Sequence, residues 1–295
     1  MDFLELMERF PTEEHVIQYF IKVRYNNKPT CNHCSSEKVS RRTDKSKVFR
    51  CNDCQNDFSI FKDTMFEDTY TDLRKWMYAI HLFLNAKKGI SGLQLKREIK
   101  VTYKTAWRML HKIRAAMSNK GAFDSNFFPI VEIDETYIGG KPRKGAKIKA
   151  KRGRGTAKIP VIGVVCRKTK QVHAKVALPD KNGKKLTGKQ LLSVLDEAVT
   201  RNAIIVTDEF TGYRALSKTR HVHLTIDHTK EYARGIRHTN NIESFWATLK
   251  RGLYGIYHAV SVKYLQNYVN EFCFRHNNKQ NPEIFNQVLV QSIKS

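Results

Sequence analysis

The chain has 295 residues, with 53 Lys and Arg against 28 Asp and Glu, a formal net charge of +25. At 41% apolar and 11% aromatic residues it can build a core, which excludes wholesale disorder. No apolar run reaches the ~20 residues that cross a bilayer, so a membrane-spanning protein is excluded, and the charge excess points to a polyanion, DNA or RNA, as partner.

The opening MDFLELMERF carries acids where a secretory leader needs basic residues. A non-secreted, cytoplasmic protein is expected, associated with the nucleoid in a prokaryote. Residues 1–25 read as a helical segment in which Thr12 caps a helix with Val16, Phe20 and Val23 along one face. Cys31, Cys34, Cys51 and Cys54 follow as two C-x2-C knuckles sixteen residues apart. That spacing matches a tetrahedral four-thiolate Zn²⁺ site, each knuckle giving two ligands from one tight bend. Residues 26–62 are therefore expected to be a zinc ribbon with short strands at 48–50 and 57–60, too small for its own core and folded by its metal. Paired disulfides would use the same four cysteines, but nothing marks an oxidising compartment. Cys166 and Cys273 stand alone in apolar stretches and read as buried free thiols.

Residues 63–120 read as a helix-turn-helix-like region. Leu73, Trp76, Met77, Ile80 and Leu84 recur at helical spacing, and Gly89 breaks the run. Ser91 with Gln94 opens a short helix holding Leu93, Leu95 and Ile99. Thr102 starts another, with Tyr103, Trp107, Leu110 and Met117 expected to face inward. Lys104, Thr105, Arg108, His111, Lys112 and Arg114 fall largely elsewhere on that helix. A basic second helix after a short turn suits the major groove, which makes Lys104, Arg108 and Lys112 candidate DNA contacts.

From about residue 126 to 295 the pattern changes to an α/β domain. The segment 130–137 is β-rich and ends at Gly139-Gly140. Residues 141–158 hold nine Lys or Arg, three Gly and no acid, a basic loop suited to phosphates, with Arg143 and Lys144 among its candidate contacts. Strands at 159–167 and 171–178, a helix at 188–200, a strand at 203–207, a helix at 211–219 and a strand at 221–226 come next. A long helical region begins near Asn240. Three strands, helix, strand, helix, strand, helix is the element order of a ribonuclease H-like mixed sheet flanked by helices.

Asp134 falls inside the first strand, Asp208 at the end of the fourth and Glu243 near the start of the last helical region. Two-metal phosphoryl transfer needs oxygen ligands converging from separate elements on two divalent ions about 3.5–4 Å apart. Mg²⁺ or Mn²⁺ suits such carboxylates and leaves room for substrate phosphates. Glu135 points to the opposite face of its strand from Asp134, whereas Glu132 shares Asp134's face. Lys250 lies two turns beyond Glu243 on nearly the same side, placing it and Arg251 as candidate phosphate contacts.

The blocks VEIDETYIGGK (131–141), VTDEFTGY (206–213) and HTNNIESFWATLKRGLYGIYH (238–258) resemble the three catalytic blocks of DDE-type insertion-sequence transposases. The nearest group is the ISXO-like one, related to Merlin elements, which also carries a zinc ribbon. The resemblance implies a metal-dependent enzyme with Asp134, Asp208 and Glu243 as its triad and Lys250 as the associated basic residue. Some members of this group carry Asn at the third position, and here Asn240 and Glu243 are both available. It further implies hydrolysis at the ends of an element, attack of the freed 3′-OH on target DNA, and a homodimer or larger assembly on double-stranded DNA bearing terminal inverted repeats. Two other readings use the same sequence: a DNA-binding regulator with an inactive domain, and a nuclease of this fold that cuts without joining.

Overall fold

The computed structural model describes residues 1–118, 126–140, 158–179, 186–208, 211–226 and 238–294. The chain divides into two compact units, Met1–Asn119 with Gln280–Ser295, and Lys120–Lys279. The boundary differs from the one expected from sequence, where the catalytic domain ran to residue 295. The last helix packs with the N-terminal helices, and the Met65 N–H donates to the Ser292 carbonyl.

In the first unit, α1 (Phe3–Arg9) and α2 (Glu13–Tyr25) precede a small antiparallel sheet, β1 (Val39–Arg41), β2 (Val48–Cys51) and β3 (Asp57–Ser59). The ribbon therefore has three strands, one more than the sequence reading supplied. Thr12 stands at the N-cap of α2 without capping it; its hydroxyl pairs with His15 Nδ1 at 2.8 Å. Three helices follow, α3 (Leu73–Asn85), α4 (Gly92–Ile99) and α5 (Tyr103–Met117), and α9 (Ile284–Lys294) closes the unit. Ser91 and Thr102 cap α4 and α5, accepting the N–H of Gln94 and Thr105.

The phase of α5 departs from expectation. Ala106, Met109, Leu110, Ile113 and Met117 face the core, while Tyr103 and Trp107 are 50% and 37% exposed. Arg114, expected outside, is buried with its guanidinium 5.3 Å from the Phe83 ring centroid. Leu93 on α4 is likewise exposed. Aromatic residues assigned inward by type alone mislead, because large apolar groups are common on protein surfaces.

The second unit is built on five strands, β4 (Ile130–Ile138), β5 (Ile159–Cys166), β6 (Val172–Val176), β7 (Ile204–Thr207) and β8 (Val222–Thr225), in the spatial order β6-β5-β4-β7-β8. The first three pair antiparallel and β4, β7 and β8 pair parallel, giving the mixed ribonuclease H-like sheet. One face packs on α6 (Gly188–Ala198) and a 3-10 helix (Thr211–Lys218), through Val131, Ile133, Ile162 and Val164 against Leu191, Val194 and Leu216. The other packs on α7 (Asn240–Gly252) and α8 (Val262–Asn277), through Val161, Val165 and Val172 against Ile242, Leu249 and Phe272. A short π-helical segment (Leu253–Tyr257) joins α7 to the chain leading into α8. Among the described residues, no helix is long and apolar enough to cross a membrane.

Candidate active site

Strand alternation divides β4 between the two faces. Val131 and Ile133 enter the α6 side, so Glu132 and Asp134 point to the α7 side. Ile130, Val131 and Glu132 pair in parallel with Ile204, Ile205 and Val206. Asp208 directly follows the end of β7, near enough to Asp134 for its charge to act on that carboxyl. Burial, and then the charges of Glu135 and Asp208, push the Asp134 carboxyl up to about 7. The structure thus brings the first two sequence candidates together.

Helix α7 runs alongside β4. The Asn241 and Ile242 backbone N–H groups donate to Glu132, the Trp246 indole to Asp134, and Tyr254 Oη to the Gly139 carbonyl. Asn240, Glu243, Trp246 and Lys250, three or four residues apart, form one stripe of the helix. Asp134 touches the middle of that stripe, where Trp246 Nε1 donates to its Oδ2 at 3.1 Å. Burial lowers the Lys250 ammonium from its ordinary value, and the Asp134 charge pulls the other way, so these two groups feel each other's fields. Asn240 and Glu243 are exposed in the first turn, and the Thr239 hydroxyl donates to Glu243 Oε1 at 2.8 Å. Arg251 is exposed on the same helix.

Glu132 takes another role. Fully buried, it accepts from Arg167 Nε, from the Asn241 side-chain amide and from the backbone N–H groups of Asn241 and Ile242, at 2.6–3.0 Å. Four donors fill the roughly four acceptor positions of a carboxylate, which leaves none for a cation. The residue that shared Asp134's face therefore clamps the start of α7 instead of joining the site. Glu135 lies on the other face, where Tyr213 Oη donates to it at 2.9 Å.

In the first unit the four cysteine sulfurs lie within 4.8 Å of one another, with Cys31–Cys54 at 3.6 Å and Cys34–Cys51 at 3.5 Å. Tetrahedral Zn²⁺ with bonds of about 2.3 Å requires sulfur separations of about 3.8 Å, whereas a disulfide requires about 2 Å. The donor set fits zinc and excludes paired disulfides. Ser35 and Gln55, each following the second cysteine of a knuckle, both adopt left-handed backbone, φ 60° and 58°, so the two knuckles share one turn geometry. On α5, Lys104 and Arg108 are exposed, while Lys112 is half-buried with Nζ donating to the Glu67 carbonyl. Arg143 and Lys144, with all of the basic loop except Lys158, lie outside the described residues.

Residues 129–277, just over half of the chain, match the ISXO2-like transposase domain. The chain belongs to that family. A transposase zinc-ribbon domain matches residues 11–57, which include all four cysteines. A protein of transposable element ISH50 in Halobacterium salinarum is 29% identical over 286 residues, covering 91% of this chain and 92% of that protein. Among solved structures, the Mos1 strand transfer complex aligns with 73% of this chain and 78% of its own at 14% identity and a TM-score of 0.31. A simian T-cell lymphotropic virus intasome aligns with 66% of this chain and 64% of its own at 15% identity and a TM-score of 0.31.

Sequence reasoning did not find Arg167, His238 or the indole contact of Trp246. The signal for Trp246 was its position midway between Glu243 and Lys250, which puts it on their stripe. Arg167 sits just past a strand end and carries no motif. His238 stands 3.4 Å from Glu132 through Nδ1, on the residue pair that precedes α7.

Proposed function

We propose that this transposase-family chain binds double-stranded DNA at the terminal repeats of an insertion sequence, hydrolyses phosphodiester bonds there and joins the freed 3′-OH ends to target DNA. The observation that carries the reading is the nearness of Asp208, at the end of β7, to the buried Asp134 carboxyl that Trp246 of the α7 stripe contacts. Two nearby carboxylates, with the charge of Asp208 raising the cost of ionising Asp134, form a donor set that fits hard divalent cations. Asp134, Asp208 and Glu243 would hold Mg²⁺ or Mn²⁺, with Asn240 as the other candidate for the third position. Such cations, when bound, supply Lewis acidity to the attacking and leaving oxygens of the phosphodiester.

The chain's own residues position the DNA around that point. Lys250 and Arg251 continue the α7 stripe beyond Trp246 as phosphate contacts, and Lys104 and Arg108 present cations on the exposed side of α5. Lys112, held on the Glu67 carbonyl, orients that face more than it extends it. The sequence of 141–158, with Arg143 and Lys144, adds a basic segment matched to phosphates. Zn²⁺ on the four cysteines folds the ribbon ahead of these helices. Joining two ends in concert requires two copies on one DNA, a homodimer or larger assembly, in the compartment that holds the DNA.

The test is cleavage and joining of labelled terminal-repeat DNA by the full-length chain with Mg²⁺. Asp134→Ala and Asp208→Ala should each remove at least ~10³-fold of the cleavage rate while leaving DNA binding within a few-fold. Of Glu243→Ala and Asn240→Ala, the one that matches that loss holds the third position. Cleavage without joined product would assign a nuclease instead, and full activity in Asp134→Ala would overturn the site.

A further inference from the structure

The Trp246 indole is 4% exposed, and a buried indole N–H needs an acceptor. The acceptor it has is the Asp134 carboxylate, at 3.1 Å. Its route there depends on the strand beyond. Asp134 pairs in register with Gly163 of β5, and the six-membered ring of the indole lies against that glycine. A Cβ at 163 would stand 2.6 and 2.7 Å from indole Cη2 and Cζ2, and 3.0 Å from Ile242 Cδ1. Gly163 is therefore required for space: any side chain there moves the ring off its line to Asp134. The Phe245 ring lies 5.2 Å from the indole, and Ile242 shares the space over Gly163.

We infer that Gly163 and Trp246 form a positioning pair that fixes the Asp134 carboxylate by a donated hydrogen bond, presenting its remaining acceptor positions to a divalent cation. This rests on Asp134 being a cation ligand, as proposed above. Outer hydrogen bonds of this kind set ligand orientation, and their loss typically costs about 10–100-fold in metal affinity. An aromatic core residue without this role would contribute packing alone and would leave affinity for the cation unchanged.

Full-length protein would be titrated with Mn²⁺, free ion being counted by electron paramagnetic resonance, and the same variants assayed for DNA cleavage across Mn²⁺ concentrations. Trp246→Phe keeps a ring and removes the N–H; Gly163→Ala keeps the N–H and displaces it. Both should weaken Mn²⁺ binding about tenfold and recover cleavage as Mn²⁺ is raised. Leu249→Ala removes volume from the same face of α7 without touching Asp134, and should lower the melting temperature with Mn²⁺ affinity unchanged. Asp134→Ala should abolish the tight site. Wild-type Mn²⁺ affinity in Trp246→Phe, with the site lost in Asp134→Ala, overturns the positioning role and leaves the parent reading standing. Equal weakening in Leu249→Ala and Trp246→Phe also overturns it, by reducing the effect to general loosening. A tight site retained in Asp134→Ala overturns the parent reading instead.

Discussion

The two units place their charges differently. In the first, ion pairs such as Arg41–Glu14, Lys47–Glu13 and Arg42–Asp57 join side chains that remain partly exposed, and the concentrated polar cluster is the four thiols. In the second, carboxylates are carried into the protein and each is matched from within. Glu132 has Arg167 and the start of α7; Glu271, also fully buried, has Arg275 Nε at 2.9 Å and the Tyr257 hydroxyl. Asp134 is the exception: an indole N–H and the Glu135 backbone N–H donate to it, yet among the described residues no Lys or Arg lies within 4 Å of it. Burying acids costs free energy that a cation offsets, which is the physical ground for the divalent cation proposed at Asp134. One unit gathers thiols in a set that fits a metal; the other buries acids against its own cations, and among the described residues places none of those cations within 4 Å of Asp134.

The largest effect expected from this contrast is at the ribbon. Cys51→Ser should release the metal and unfold residues 31–59, because structural Zn²⁺ contributes an apparent ~10–16 kcal/mol in comparable small modules. Metal analysis and proteolysis would read it, and the second unit should keep its own melting transition. Unchanged zinc content with a protected ribbon would break the comparison at its first term.

Next in size is the internal ion pair of the sheet unit. Arg167→Ala leaves Glu132 buried with helix N–H donors but without its cation, and should destabilise that unit by about 3–5 kcal/mol in urea unfolding. Arg167→Met with Glu132→Leu should recover most of that stability, yet still slow DNA cleavage, since α7 loses its clamp. If the double variant cleaves at the wild-type rate, the clamp has no part in placing the α7 stripe.

How much of this was legible beforehand follows from which interactions are local. The zinc cluster could be read from spacing, because each knuckle is a single turn. The shared face of Glu132 and Asp134 follows from strand alternation over three residues. That Glu132 is consumed by Arg167 and α7 does not, since those partners lie 35 and 109 residues away and no periodicity reports them. The approach of Asp208 to Asp134 depends on β4 and β7 lying side by side in parallel, which only the folded sheet defines. The phase of α5 was misjudged because Tyr103 and Trp107 were assigned by residue type, whereas contact with α3, α4 and α9 decides which side is covered. The return of α9 to the first unit is a long-range packing choice of the same kind.

Local capping should be indifferent to the contrast between the units, which makes it a control. Thr187 and Gln190 form a reciprocal capping box on α6 in the sheet unit, and Thr102 caps α5 in the helical one. Thr187→Ala and Thr102→Ala should each cost about 1 kcal/mol. A loss several times larger in one unit would mean that the units differ in more than where they put their charges.

The smallest effect is expected where an ion pair is best formed but open to water. Arg41 meets Glu14 through two parallel hydrogen bonds of 2.6 and 2.8 Å, and this Arg41 contact, ahead of the opposing effect of burial, holds the Glu14 carboxyl down to about 2. That shift overstates the pair's worth, because Glu14 is 47% exposed and solvent screens it. A double-mutant cycle with Arg41→Ala and Glu14→Ala should give a coupling of only about 0.2–1 kcal/mol, despite the bidentate geometry. The sign with pH follows from the lowered carboxyl: the coupling is present above the ordinary carboxylate range and fades as pH falls towards about 2. A coupling of 3 kcal/mol or more would erase the distinction between the units, since burial and not geometry is what makes Glu132–Arg167 costly to break.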